Sequence, residues 1–233
     1  MKASGSDLGR EGDDPRQLPR ELAATVSLIC DSLDAAHAAR EQALPACRRA
    51  IRAAGSSIRA VHRLQPDRAA ELARESETAI REAQAVVAPF PQVASAGFLG
   101  DAEREFVEAH MVAVLVGGLA IPSPTDLAVS PVSWVKGLAE AASELRRHLL
   151  DRLRSGELDR GEELLGVMDD VYEALVVIDY PDALTGGLRR TLDSLRAVLE
   201  RTRGDVTTTV LQTRLQRAIE SQNQSTQRGS GPA

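Results

Sequence analysis

At 233 residues the chain is long enough for one large domain, and a hydrophobic share of 43% can supply its core. Only 3% of residues are aromatic, so Ala, Leu and Val must fill that core, which suits closely packed helices better than a sheet sandwich. A formal net charge of -6 argues against a non-specific DNA coat while leaving room for local basic patches. Lys2 and Lys136 are the only lysines. The remaining basic residues are Arg, whose planar fork suits phosphate, although a GC-rich genome is the favoured explanation of the preference. Cys30 and Cys47 fall in helical patterns and read as small apolar core residues, not as a disulfide framework. The first twenty residues are too polar for a signal peptide, and the longest apolar stretch, Met111 to Pro122, is too short to span a bilayer. A cytoplasmic protein with no membrane partner is expected.

Residues 1–17 lack periodicity and read as a disordered N-terminal tail. From about Arg20 to Arg63, Leu22, Val26, Ile29 and Leu33, then Ile51, Ile58 and Val61, recur at helical spacing, with a kink or restart expected at Pro45. A second helix follows Pro66, with Asp67 as its cap, and ends near Val87 before Pro89 and Pro91. The third runs from about Asp101 to Gly117-Gly118. The fourth starts at Pro131, in a favoured first-turn position, and ends at Arg154. The fifth covers about Leu158 to Ile178. The sixth, about Thr185 to Arg203, carries Leu188, Leu192, Leu195 and Leu199, a stripe that fits either the monomer interior or a second subunit. Gly204-Asp205 is expected to separate a seventh helix, which ends near Ser221. Residues 221–233 then form a second tail. The result is one all-α domain over 18–220, with about seven helices and no strand.

Two groups of residues stand out. Glu105 and Glu108, three apart, share one side of a helix whose continuation, Val112 and Leu115, is apolar. Carboxylates entering an apolar surface repel one another unless a cation or proton lies between them, and Mg²⁺ favours such oxygen ligands. Small residues at Gly137 and Ala141 would let the following helix approach, bringing Glu140 to the pair, with Glu144 four residues on. Acids are also common on solvated helix faces, and the spacing by itself does not separate the two readings. The second group is Arg48, Arg52, Arg59 and Arg63 at helical spacing, with Arg49 and His62 beside them and no acid between Ala46 and Arg63. Such a face can track successive phosphates, or form ion pairs with another subunit. Arg189 and Arg190 could likewise face nucleic acid or a neighbour. There is no Gly-rich phosphate loop, nucleophile elbow or Cys-His pair of recognised spacing.

The order of four blocks resembles the translin superfamily, and its TRAX-like catalytic branch in particular. They are Ser57-Ile58-Arg59 with His62-Arg63; Glu105-Phe106-Val107-Glu108-Ala109; Gly137-Leu138-Ala139-Glu140 with Glu144-Leu145; and Tyr180-Pro181-Asp182 through Gly186-Gly187-Leu188-Arg189-Arg190 to Glu200-Arg201-Thr202-Arg203-Gly204-Asp205. The resemblance spans about residues 20–220. It implies a seven-helix subunit that assembles into a closed hollow octamer and binds single-stranded RNA or DNA on an inner basic surface. In the TRAX-like branch it also implies three acids that hold Mg²⁺, with Mn²⁺ as a substitute, and hydrolyse RNA. The matching residues are Glu105, Glu108 and Glu140, the last standing where the animal TRAX pattern has Asp. The implied assembly is a homo-octamer or one completed by a translin-like second chain.

The expected function is therefore a metal-dependent endoribonuclease acting on single-stranded RNA, with catalytic and metal-holding Glu105, Glu108 and Glu140. Arg48, Arg49, Arg52, Arg59, His62 and Arg63 are the expected nucleic-acid contacts. The rival readings are a non-catalytic single-stranded RNA- or DNA-binding oligomer and a purely structural assembly.

Overall fold

The computed structural model describes residues 17–229, all of whose regular elements are helices. They are α1 (Gln17–His62), α2 (Pro66–Val87), the single turn α3 (Pro91–Ala94), α4 (Phe98–Gly117), α5 (Pro131–Arg154), α6 (Leu158–Val176), the single turn α7 (Asp182–Thr185) and α8 (Leu188–Gly229). The expected tail over residues 1–17 lies outside the described residues but for Gln17. On one side α1, α2 and α4 pack together. On the other, α6 and α8 pack together, and α5 lies between the groups, against α4, α6 and α8.

Neither Pro45 nor Gly204 ends a helix. Pro45 sits inside a continuous α1, its ring exposed, while Ala43, Ala46, Cys47 and Ala50 form an unbroken buried face around it. That face holds the helix through the one backbone hydrogen bond that proline cannot donate. Gly204 does not end the sixth predicted helix either, and α8 runs on through 221–229, where a tail was expected. Thr202 and Val206 are buried on either side of it, and Arg146 of α5 donates to both Thr202 Oγ1 (3.0 Å) and Asp205 Oδ2 (2.7 Å). Tertiary anchoring across the glycine outweighs its cost of about 1 kcal/mol in a helix. The Leu188, Leu192, Leu195 and Leu199 stripe is buried within the monomer, against α5 and α6.

The first half of α1 departs from expectation. Leu22, Val26, Ile29 and Leu33 are exposed, as is every residue from Leu18 to Ala35. The reason is length: α1 has 46 residues and α2 has 22, so at 1.5 Å per residue about 69 Å of helix meets about 33 Å. Burial starts at Ala36 and proceeds through Ala39, Ala43, Ala46, Ala50, Ala53 and Ala54, a seam of alanines. Cys47 joins this seam, whereas Cys30 is exposed, so only one of the two cysteines is a core residue.

Helices α4 and α5 are positioned by polar anchors at one end and close packing in the middle. Ser130 caps α5 by accepting from the Ser133 amide (3.1 Å), with Pro131 at the first turn. The buried carboxylate of Glu103 in α4 accepts from the Ser130 amide (3.1 Å) and from Gln84 Nε2 of α2 (2.8 Å). Further along, Gly137 lies directly against α4. A β-carbon there would stand 2.7 Å from Val107 Cβ and 2.8 Å from the Arg104 carbonyl oxygen. The predicted close approach at this glycine is thus observed.

Gly137→Ala follows as a test of that contact. Alanine gains about 1 kcal/mol of helix propensity, but overpacking against a backbone atom costs about 1–3 kcal/mol. The urea midpoint should fall, with an unchanged m-value.

Candidate functional site

The close approach at Gly137 sets the acids of α4 opposite those of α5. Glu105 and Glu108 come from α4, Glu140 and Glu144 from α5, and all four are partly buried. Between the helices lies the Arg104 guanidinium. It donates from Nη2 to Glu105 Oε1 (2.9 Å) and from Nη1 to Glu140 Oε2. Burial opposes the charge on Arg104, but Glu140, Glu105 and Asp101 outweigh it and raise its pKa. Glu144 is held from the other side by His62 Nε2 of α1, at 2.7 Å from its Oε1.

Glu108 has no ion pair or hydrogen bond among the described residues. Burial first, and then the charges of Glu105, Glu140 and Glu144, push its carboxyl from 4.5 up to about 8, against the opposing effect of Arg104. It opens into a cleft of about 430 Å³, walled by Glu140, Ser143 and Glu144 of α5 and by Arg190, Thr191 and Ser194 of α8. The three sequence-predicted acids are thereby brought together, and Glu144 joins them. Arg190 lines the same cleft, while Arg189 turns to Asp179 (2.8 Å).

The donors are hard carboxylate oxygens from two helices, and their mutual repulsion is what a cation relieves, so Glu105, Glu108 and Glu140 fit Mg²⁺ or Mn²⁺ in chemistry. They do not stand as a closed shell. Among the described residues no three His, Cys, Asp or Glu side chains are grouped to hold a metal ion. Two of the acids are instead tied by Arg104 and a fourth by His62. Arg104 is the residue that sequence reasoning missed. Its place beside Glu105 was visible, but its reach across to α5 depends on the separation that Gly137 sets.

The predicted basic face divides. Arg48, Arg52, Arg59 and Arg63 are exposed on α1. Among the described residues Arg48, Arg52 and Arg63 have no ion-pair partner, and Arg59 donates only to Ser56 Oγ (2.9 Å). Arg49 pairs with Glu82 of α2, an acid distant in sequence. His62 is not on this face: its side chain is 2% exposed and it serves Glu144 instead, because its helical position points toward α5 and not outward. His62 Nδ1 and the nearby His148 Nδ1 are buried without hydrogen-bond partners among the described residues, their rings 6.2 Å apart. Burial, then the positive surroundings, lower the pKa of His148. His110, two residues after Glu108 on α4, faces away from the acid cleft. It packs on Phe106 and lines a larger apolar cavity of about 760 Å³ between α1, α2 and α4.

This arrangement has identifiable relatives. No family model matches the chain. An uncharacterized protein of Methanocaldococcus jannaschii is 31% identical over 171 residues, covering 72% of this chain and 75% of that protein. The chain belongs to that protein's family. In three dimensions it is homologous to the translin/TRAX-like C3PO proteins. AfC3PO superposes with a TM-score of 0.75 at 28% identity, and its complex with duplex RNA with 0.72 at 28%; each covers 80% of this chain and 97% of that one. The apo form of NeC3PO, at 17% identity and a TM-score of 0.71, covers 79% of this chain and 96% of its own, and shares the fold. The C3PO-like subunit architecture is thus established. No helix among the described residues is long and apolar enough to cross a membrane.

The raised Glu108 pKa has a measurable signature. Between pH 4.5 and about 8 the native state keeps a proton that the unfolded chain releases. The stability this proton confers is complete below 4.5 and is lost as pH rises toward 8, by at most about 1.4 kcal/mol per pH unit. Glu108→Gln removes that loss. In urea denaturation its advantage over the parent should grow from about pH 5 to about pH 8, then level off.

Proposed function

We propose that the protein is a metal-dependent endoribonuclease that hydrolyses single-stranded RNA inside an oligomeric cavity. The observation that carries this reading is the gathering of Glu105, Glu108 and Glu140 at the α4–α5 contact, beside a cleft that also holds Arg190. Glu105, Glu108 and Glu140 would hold Mg²⁺, with Mn²⁺ as a substitute. A divalent cation there supplies a Lewis acid that steadies charge on a phosphodiester and acidifies water. Arg48, Arg52, Arg59 and Arg63 bind the RNA backbone electrostatically, and His62 orients Glu144 without touching RNA. Arg190 meets the phosphate at the cleft. The complex of AfC3PO with duplex RNA supports an RNA partner; single-stranded DNA would be bound through the same phosphate contacts.

We further read the exposed apolar faces as contacts between copies. Leu22, Val26, Ile29 and Leu33 on α1, and Leu211, Leu215 and Ile219 on α8, are exposed among the described residues. A closed octamer of this chain covers them, or one completed by a translin-like second subunit. Val26→Asp combined with Ile29→Asp should reduce the particle mass measured by light scattering, while the far-ultraviolet circular dichroism keeps its helical form.

The activity is tested with end-labelled single-stranded RNA, and with the same sequence as a duplex, in Mg²⁺ or in chelator. Wild type should give fragments only with Mg²⁺. Glu108→Gln should bind RNA normally and cleave at least about a hundredfold more slowly. Arg48→Ala with Arg52→Ala should weaken binding and reduce the slope of log affinity against log salt by about one per arginine. Binding without fragments from any of these proteins would instead establish a non-catalytic RNA-binding oligomer.

A further inference from the structure

We propose that Arg104 is an internal counter-ion that occupies the acid site until a divalent cation replaces it, so that cation binding and release of Arg104 are one event. This rests on the metal-site reading above and specifies how the site changes when it loads.

The geometry is specific. One guanidinium spans two helices, with Nη2 on Glu105 of α4 and Nη1 on Glu140 of α5. Those are two of the three carboxylates assigned to the metal. Their oxygens cannot face the guanidinium and a cation in the same space, because the two positive centres would repel across a few ångströms. The third carboxylate, Glu108, is left without a partner and lies in the field of the other acids. That explains why the acids are gathered although no three of them are grouped as a metal shell. The arginine supplies one positive charge in a fixed plane and satisfies two carboxylates; a divalent cation supplies two charges and can serve all three.

Arg104 also has somewhere to go. Its side chain is 22% exposed, so it has a path to solvent. Asp101, three residues earlier on the exposed side of the same helix, already acts on it electrostatically. Swinging the guanidinium toward Asp101 keeps it paired at an i,i+3 spacing and frees Glu105 and Glu140 together. The freed arginine then stands at the edge of the site, where a phosphate would meet it.

The test measures Mn²⁺ directly, by electron paramagnetic resonance of free Mn²⁺ in titrations of purified full-length wild type, Arg104→Met, Arg104→Lys and Glu108→Gln. Methionine keeps the apolar stem without the charge, and lysine keeps the charge without the fork. Arg104→Met should bind Mn²⁺ about tenfold more tightly than wild type, with Arg104→Lys in between. In chelator Arg104→Met should melt below wild type, and Mn²⁺ should raise its melting temperature by more. Glu108→Gln should weaken binding. If Arg104→Met and Arg104→Lys bind Mn²⁺ no more tightly than wild type while Glu108→Gln weakens it, the counter-ion role is overturned and the metal site stands. If none of the four proteins binds Mn²⁺, the metal-site reading falls and takes this proposal with it.

Discussion

The contact between α4 and α5 at Gly137 is the constraint on which the rest of the site depends. Glycine at this position lets the α5 backbone come against Val107 and the Arg104 carbonyl. The same contact fixes how far the acids of one helix stand from those of the other. With a larger residue the helices separate, and one guanidinium no longer reaches both Glu105 and Glu140. Packing at a residue without a side chain thus sets the electrostatics of residues one turn away, and the anchor at Glu103 fixes the axial position of α5 at which this happens.

The acid cluster is a concentration of like charge tolerated because each member has a different means of relief. Glu105 and Glu140 share a cation, Glu144 has an imidazole, and Glu108 keeps its proton to well above the usual carboxylate range. A fold of this size has no stability reason to assemble four carboxylates between two helices, since an apolar seam would serve packing better. Under the proposed function, the cluster beside the open cleft serves phosphodiester chemistry.

The sequence made the helices legible where periodicity and punctuation agreed. Pro131 after Ser130 marks the start of α5, and the Leu188 to Leu199 stripe marks α8. The close approach at Gly137 was also readable, because a small residue at the right turn has few other uses. What was hidden depended on partners distant in sequence. The exposed first half of α1 looks like core until the length of α2 is known. Gly204 looks like a break until Arg146 is seen to hold both its flanks. His62 looks like one more basic residue on the arginine face, and only the position of Glu144 shows that it belongs to the acid site. Arg104 was passed over for a similar reason: its second carboxylate lies 36 residues further on.

The alanine seam between α1 and α2 has its own mechanical meaning. Alanine has no rotamers, so the α1 side of this interface has little room to absorb a displacement by side-chain rearrangement. The two helices pack closely along this seam, with arginines exposed on α1 and His62 at its end. The His62–Glu144 hydrogen bond ties the position of that carboxylate to the end of α1.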